Sequence, residues 1–198
     1  MKTHSPLSTV TTETPAPDFS GRPGRISLEK IVALKGHGKL KIRPIRLDDE
    51  QALVAFHTNI SEESVYLRYF EYLGLDRRTA HERLVTICMN TPTSYAVVVE
   101  RPASASRPQA ILAVGRLTTT AEPGVATFDT LIAEDTHAAA LGKLVLGQLM
   151  KLAKAFGFTL LTGELLVADH DTLNLCRQLG FSLQTLPEDA LVRVTYSL

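Results

Sequence analysis

The stretch DTHAAALGKLVLGQL, residues 135–149, decides how this chain is read. The run just before it, VATFDTLIA (125–133), is apolar and rich in β-branched and aromatic residues, so it reads as a strand. A long amphipathic helix then spans about 138 to 156. Leu141, Leu144, Val145, Leu149 and Leu152 share one face, and Lys143, Gly147, Lys151 and Lys154 lie opposite. A strand that feeds a helix places free backbone N–H groups and partial positive charge at the turn, where an anion such as a phosphate binds. Phosphate turns usually carry several glycines. This one has Gly142 and three alanines, Ala138, Ala139 and Ala140. None of the alanines removes a backbone donor, so the turn keeps its capacity for an anion with less clearance. An ordinary alanine-rich helix start accounts for the same spacing.

The neighbouring segments extend the pattern in both directions. Downstream, Gly157 ends the helix and TLLTGELLV (159–167) reads as a strand. DHDTLNLCRQL (169–179) reads as a helix stopped at Gly180, and FSLQTL (181–186) with LVRVTYSL (191–198) as a last strand pair. Upstream, SYAVVVE (94–100) and QAILAVGRLTT (109–119) are strands joined by the proline-rich hairpin loop RPASASRP. KLKIRPIRL (39–47) alternates as a strand, with Pro44 at an edge or bulge. Asp48 and Gln51 predict a capping box for a helix over ALVAFHTNI, Ser61 starts EESVYLRYF, and Asp76 starts one helix over RRTAHERLVTICMN. Residues 25–38 read as a linker or a short added element, and the Ser/Thr/Pro-rich residues 1–24 as a disordered tail. This order predicts one α/β (α+β) domain over 39–198. Its sheet is mixed, mostly antiparallel and twisted, with about seven strands flanked by helices and one parallel pair across the 125–167 crossover.

Composition narrows the function. The chain has 198 residues, with 21 Lys+Arg against 21 Asp+Glu, and this neutral balance argues against a nucleic-acid binder. No apolar run reaches membrane-spanning length, and MKTHSPLSTVTTETPAPDF lacks a signal-peptide core. Cys88 and Cys176 form no paired motif, which fits a reducing cytoplasm. The six histidines show no metal spacing, and Asp169-His170-Asp171 reads as a capped helix start rather than a metal site.

Element order and three motifs, IRPIRLDDE (42–50), SEESVYLRYF (61–70) and GELLVADHDTLNLCRQLGF (163–181), resemble the GNAT superfamily of acyl-CoA-dependent N-acyltransferases. The likeness covers about residues 39–198 and is nearest to the acetyltransferase domains of bacterial protein-lysine acetyltransferases. It implies that acetyl-CoA is the cosubstrate and that no metal takes part. The family's Q/R-x-x-G-x-G/A turn then falls on His137 through Gly142, with the cofactor met by His137, Ala138, Ala140, Leu141, Gly142 and Lys143. Three departures stand out: His137 replaces Gln or Arg, Ala140 replaces the first motif glycine, and Ala138 fills a position often glycine. The backbone of Leu131, Ile132 and Ala133 would pair with the pantetheine arm.

The resemblance also says where the chemistry is incomplete. Thr127 stands where related enzymes often carry a glutamate base, and a threonine is no base near neutral pH. Asp129, two residues on, projects from the same strand face and is the first candidate catalytic base. A solvated aspartate on a cleft wall is the competing reading. Glu164 on the next strand is the second candidate, against an outward-facing strand glutamate. Cys176 occupies the common place of an acidic tyrosine but reads rather as a small buried residue; Tyr66, Arg68 and Tyr69 fall toward the acceptor side. Two functions stay open: an acetyl-CoA-dependent N-acetyltransferase acting on a protein lysine or small amine, or a degenerate domain serving as a coenzyme A sensor or interaction module. A homodimer is also open.

Overall fold

A computed structural model describes residues 17–21, 27–134, 137–187 and 190–198. Eight strands form one sheet in the order β1-β2-β3-β4-β5-β6-β8-β7. They are β1 (Lys30–Leu34), β2 (Gly38–Pro44), β3 (Ser94–Arg101), β4 (Ala110–Thr119), β5 (Val125–Ile132), β6 (Leu160–Leu166), β7 (Ser182–Leu186) and β8 (Leu191–Ser197). Every neighbouring pair is antiparallel except β5 and β6. The extra strand beyond the seven expected is β1, which forms a hairpin with β2 in the segment whose structure the sequence left ambiguous.

Six α-helices cover the two faces: α1 (Glu50–Thr58), α2 (Glu62–Tyr69), α3 (Leu75–Arg78), α4 (His81–Cys88), α5 (Ala138–Ala155) and α6 (His170–Gln178). On one face α5 buries Leu141, Val145, Leu146, Leu149 and Leu152 completely against strand residues such as Val97, Ala113 and Ala126. On the other face α1–α4 pack Leu53, Phe56, Val65 and Leu84 over Ala96, Val98 and Leu131. Each aliphatic side chain removed from water in this way contributes about 1.5–3 kcal/mol.

Three local expectations are corrected. The single helix after Asp76 is two, α3 and α4, because Ala80 takes extended dihedrals (φ −57°, ψ 130°) as the N-cap of α4. The cap before α1 is not Asp48 with Gln51: a 3₁₀ turn at Leu47–Asp49 precedes it, and the Arg46 N–H donates to Asp49 Oδ2 at 2.8 Å. In the tail, Phe19 is buried among Tyr95, Phe156 and Phe158, with ring centroids 5.9, 5.1 and 5.1 Å away. The Phe19 N–H also donates to the Pro92 carbonyl at 2.8 Å. An aromatic ring of this size offsets the entropy of ordering the few residues around it. Residues 1–16 and 22–24 of that expectation lie outside the described residues.

Candidate active site

The parallel seam between β5 and β6 is short. Only Val125, Ala126 and Thr127 pair with Leu160, Leu161 and Thr162. Beyond Thr127, β5 runs on to Ile132 paired with β4 alone, while β6 turns away paired with β8. At the point of separation the Phe128 ring lies against Gly163, where a Cβ would come within 2.8 Å of it. The two strands therefore diverge around an aromatic wedge. Between them opens a cleft of about 900 Å³, lined by Thr130, Leu131, Ile132 and Ala133 on one side and Thr162 and Glu164 on the other. The edge of β5 facing β6 has no strand partner from Phe128 onward, so backbone groups are available to an extended ligand.

The start of α5 meets the same cleft. Among the described residues no side chain caps it, and the N–H groups of Ala140 and Leu141 both donate to the His137 carbonyl, at 2.9 and 3.0 Å. The N–H groups of Ala138 and Ala139 have no acceptor within the helix. Ala138 lines the cleft. The other residues of the turn are placed differently. The His137 ring stands 5.1 Å from that of His37, leaning on the β1–β2 turn. Leu141 is fully buried and Lys143 exposed, while Ala140 is half-buried. Gly142 faces inward: a Cβ there would meet Leu175 at 2.9 Å and Ile132 at 3.0 Å. The glycine thus gives close approach to α6 and β5. Asp135 and Thr136 lie outside the described residues.

Thr127, Asp129 and Leu131 share the face of β5 that looks toward α1–α4, as the strand period requires. Helix α2 is anchored over it by Glu134, which accepts from the Ser61 N–H at 2.7 Å and the Ser64 hydroxyl at 3.2 Å. These hydrogen bonds hold the Glu134 carboxyl below its ordinary pKa. The anchor brings Arg68 of α2 into an ion pair with Asp129. Arg116 stands directly opposite Asp129 in the β4–β5 register, and its guanidinium donates to Ser94 Oγ at 2.6 Å and to the Ile87 carbonyl. Burial pushes the Arg116 pKa down, and the Asp129 charge opposes that shift. Asp129 is therefore a half-buried carboxylate on the cleft wall, paired with the Arg68 guanidinium and in the field of Arg116.

The remaining candidates sit apart. Glu164 lines the opposite wall and pairs with exposed Arg193 at 2.8 Å. Cys176 is completely buried under α6, its thiol pushed up to about 12 by burial. It packs with the core, where a thiol has no route to a leaving group. Asp169 caps α6 by accepting the Thr172 N–H at 3.0 Å, and burial raises its pKa. Tyr66 stacks on exposed Tyr72 at 4.8 Å. A second cavity, of about 350 Å³, opens beside Asp129 among α1, α2, α4 and β4 and shares Arg68, Asp129 and Leu131 with the cleft. Among the described residues no group of three His, Cys, Asp or Glu could hold a metal, and no helix is long and apolar enough to cross a membrane.

Reading the sequence missed Glu134 and Arg116. Arg116 had a signal: it is a charge within an apolar strand, facing Asp129, a charge of opposite sign within the next apolar strand. In a hairpin, residues equidistant from the turn are partners.

No protein-family model matches the chain. Solved structures do resemble it. The GNAT domain of a Streptomyces lividans protein named PAT superimposes with a TM-score of 0.73 at 20% identity, over 86% of this chain and 97% of that one. Mycobacterium smegmatis RimJ, in complex with CoA-disulfide, gives 0.62 at 14% identity over 85% of each chain. Spermidine N-acetyltransferase from Vibrio cholerae, in complex with CoA and spermine, gives 0.61 at 15% identity over 80% and 95%. With a splayed β5–β6 pair, an uncapped α5 at its mouth and these likenesses, the chain has the GNAT acetyltransferase fold.

Proposed function

We propose that this chain is an acetyl-CoA-dependent N-acetyltransferase that transfers the acetyl group to an amine by direct attack on the thioester. The observation that carries the reading is the splay of β5 from β6, which opens the cleft between an unpartnered strand edge and an uncapped helix start. Its volume lies within the range of about 300–1,000 Å³ usual for small-molecule sites. Two proteins of similar fold are described in complexes with CoA or its disulfide, which supports the same ligand here.

In this reading the N–H groups of Ala138 and Ala139, with the α5 dipole, face the diphosphate. The β5 backbone from Leu131 to Ala133 pairs with the amide-bearing arm and aligns the thioester. Asp129, held by Arg68, takes a proton from the acceptor ammonium. The freed amine forms the C–N bond and the C–S bond breaks; the new amide nitrogen sheds its extra proton, which reaches the departing thiolate through solvent.

Calorimetric titration with acetyl-CoA and free coenzyme A tests the cofactor half. Ala138→Glu puts a carboxylate on the cleft lining at the helix start and is expected to weaken both ligands at least about ten-fold, the size of one lost charge-assisted contact. Equal binding by wild type and variant would remove the site from α5. A second reading rests on the Asp129–Arg68 ion pair, which occupies the proposed base. Acetyl-CoA binding without acetylation of any amine would make the domain a coenzyme A sensor.

A further inference from the structure

The second cavity has a charge pattern the proposed reaction does not use. Its floor is apolar, from Leu53, Phe56 and Val114; its charged side chains are Arg68, Arg83, Arg116 and Asp129, and its neutral polar ones include His57, Tyr69 and Thr86. Arg68 is engaged by Asp129, and Arg116 by Ser94 and the Ile87 carbonyl. Arg83 makes no ion pair among the described residues. It lies over the Tyr69 ring at 5.1 Å, and its buried Nε has no hydrogen-bond partner. Behind His57, Arg78 is 4% exposed and donates only to the carbonyls of His57 and Ile60, at 3.4 Å each. Three guanidiniums and one carboxylate therefore line the cavity, with Arg78 behind His57, and arginine does not shed its charge.

His57 supplies an independent observation. It is 3% exposed, lines the cavity, and its Nδ1 has no partner in the protein. Burial, with Arg78 and Arg83 beside it, lowers its pKa to about 4, so it is a neutral ring with an unmet hydrogen-bonding nitrogen. Buried polar atoms and charges are expensive unless partnered, and a wall with this surplus awaits an anion.

We propose that the acceptor is a compact amine that also carries an oxyanion, a carboxylate or a phosphate. Arg83 and Arg116 hold the oxyanion while the amine faces Asp129. This rests on the acetyltransferase reading and names the substrate class of that site. Arginine presents the planar fork that carboxylate and phosphate match. The same surplus repels polyamines and lysine-rich peptides, whose extra cations would enter a cationic wall. The volume of about 350 Å³, near the lower end for ligand sites, fits a small molecule with a modest apolar portion.

The test compares matched pairs at neutral pH with coenzyme A present: L-phenylalanine against L-phenylalaninamide, and phosphoethanolamine against ethanolamine. Calorimetry reads binding, and acetyl-CoA consumption reads turnover. The expected result is at least about ten-fold tighter binding of the anionic member of one pair, the size of one charged hydrogen bond. The preferred pair tells carboxylate from phosphate. Arg83→Gln should erase that preference without changing acetyl-CoA affinity, and Arg83→Lys should restore part of it. Equal or tighter binding of the neutral members, no binding of any of the four, a preference unchanged in Arg83→Gln, or better turnover of a lysine peptide would each overturn the proposal. Anion-selective binding with no acetylation would leave the pocket assignment standing and remove acyl transfer. Acetylation confined to neutral or cationic amines would do the reverse.

Discussion

Two groups of arginine sit on the same face of the sheet and are built on opposite plans. Arg43 on β2 is 2% exposed and enclosed by carboxylates. Asp49 takes both terminal nitrogens, at 2.7 and 2.6 Å, and Glu100 takes Nε. These two acids raise the Arg43 pKa further above its ordinary value, Asp49 the more strongly. The group joins β2, the turn before α1, and β3, and has no open side. Around the second cavity the proportion is inverted, with Arg68, Arg83 and Arg116 lining it and Asp129 the one carboxylate among the lining residues. Burial alone does not tell a structural arginine from a binding one. The number of carboxylates within reach, and an adjoining cavity, separate the two.

The comparison can be broken at its most sensitive point with Asp129→Asn, which removes the one carboxylate of the cationic group at nearly constant size. Loss of a general base lowers kcat/KM by about 10²–10⁴, with acetyl-CoA affinity unchanged. Turnover near wild type would eliminate Asp129 and move the role to Glu164 or solvent.

Arg43→Met attacks the closed group. It strands Asp49 and Glu100 without their counterion and should cost about 3–5 kcal/mol in urea unfolding. Replacing all three residues with apolar ones of similar volume should recover much of that. A loss under about 1 kcal/mol in the single variant would show that the acids are solvated after all.

His57 sharpens the contrast through pH. The unfolded chain binds a proton at this residue below about pH 6.5, and the folded protein refuses it until about pH 4. Stability held by the neutral ring is complete above pH 6.5 and is lost as pH falls through that window, by about 3 kcal/mol at the acid end. His57→Gln should flatten the stability profile between those values; an unchanged slope would show that the ring protonates freely. The smallest effect belongs to Glu164→Gln. Its partner Arg193 is exposed, so the pair contributes no more than about 1 kcal/mol, and turnover should stay near wild type.

Much of the fold was legible because it follows from period and punctuation. The β3, β4 and β5 strands and the α5 helix fall within a residue or so of the apolar runs that predict them, and Ser61 caps α2 as read, accepting the Ser64 N–H at 3.1 Å. The errors lie where a local signal was outweighed by a distant contact. Phe19 is a lone aromatic in a polar stretch, and only Tyr95, Phe156 and Phe158, far along the chain, give it a place. Asp49 was one of two adjacent aspartates, and Arg43 selects it. The candidate site was half legible. Asp129 was a candidate from its place two residues beyond Thr127, but its pairing with Arg68 depends on how Glu134 seats α2. The arginines of the second cavity come from α2, α4 and β4, and each alone looks like a solvated cation.

The wedge at Phe128 also makes the cleft a joint of two materials. Above Thr127 the halves of the sheet share a ladder of directional hydrogen bonds; below it they meet through side chains, Phe128 on Phe181 at 5.4 Å and Gly142 under Leu175. A ladder yields only by breaking a bond, whereas apolar surfaces slide with small loss because their attraction has no direction. Compliance is therefore concentrated at the mouth and stiffness at the three-residue seam.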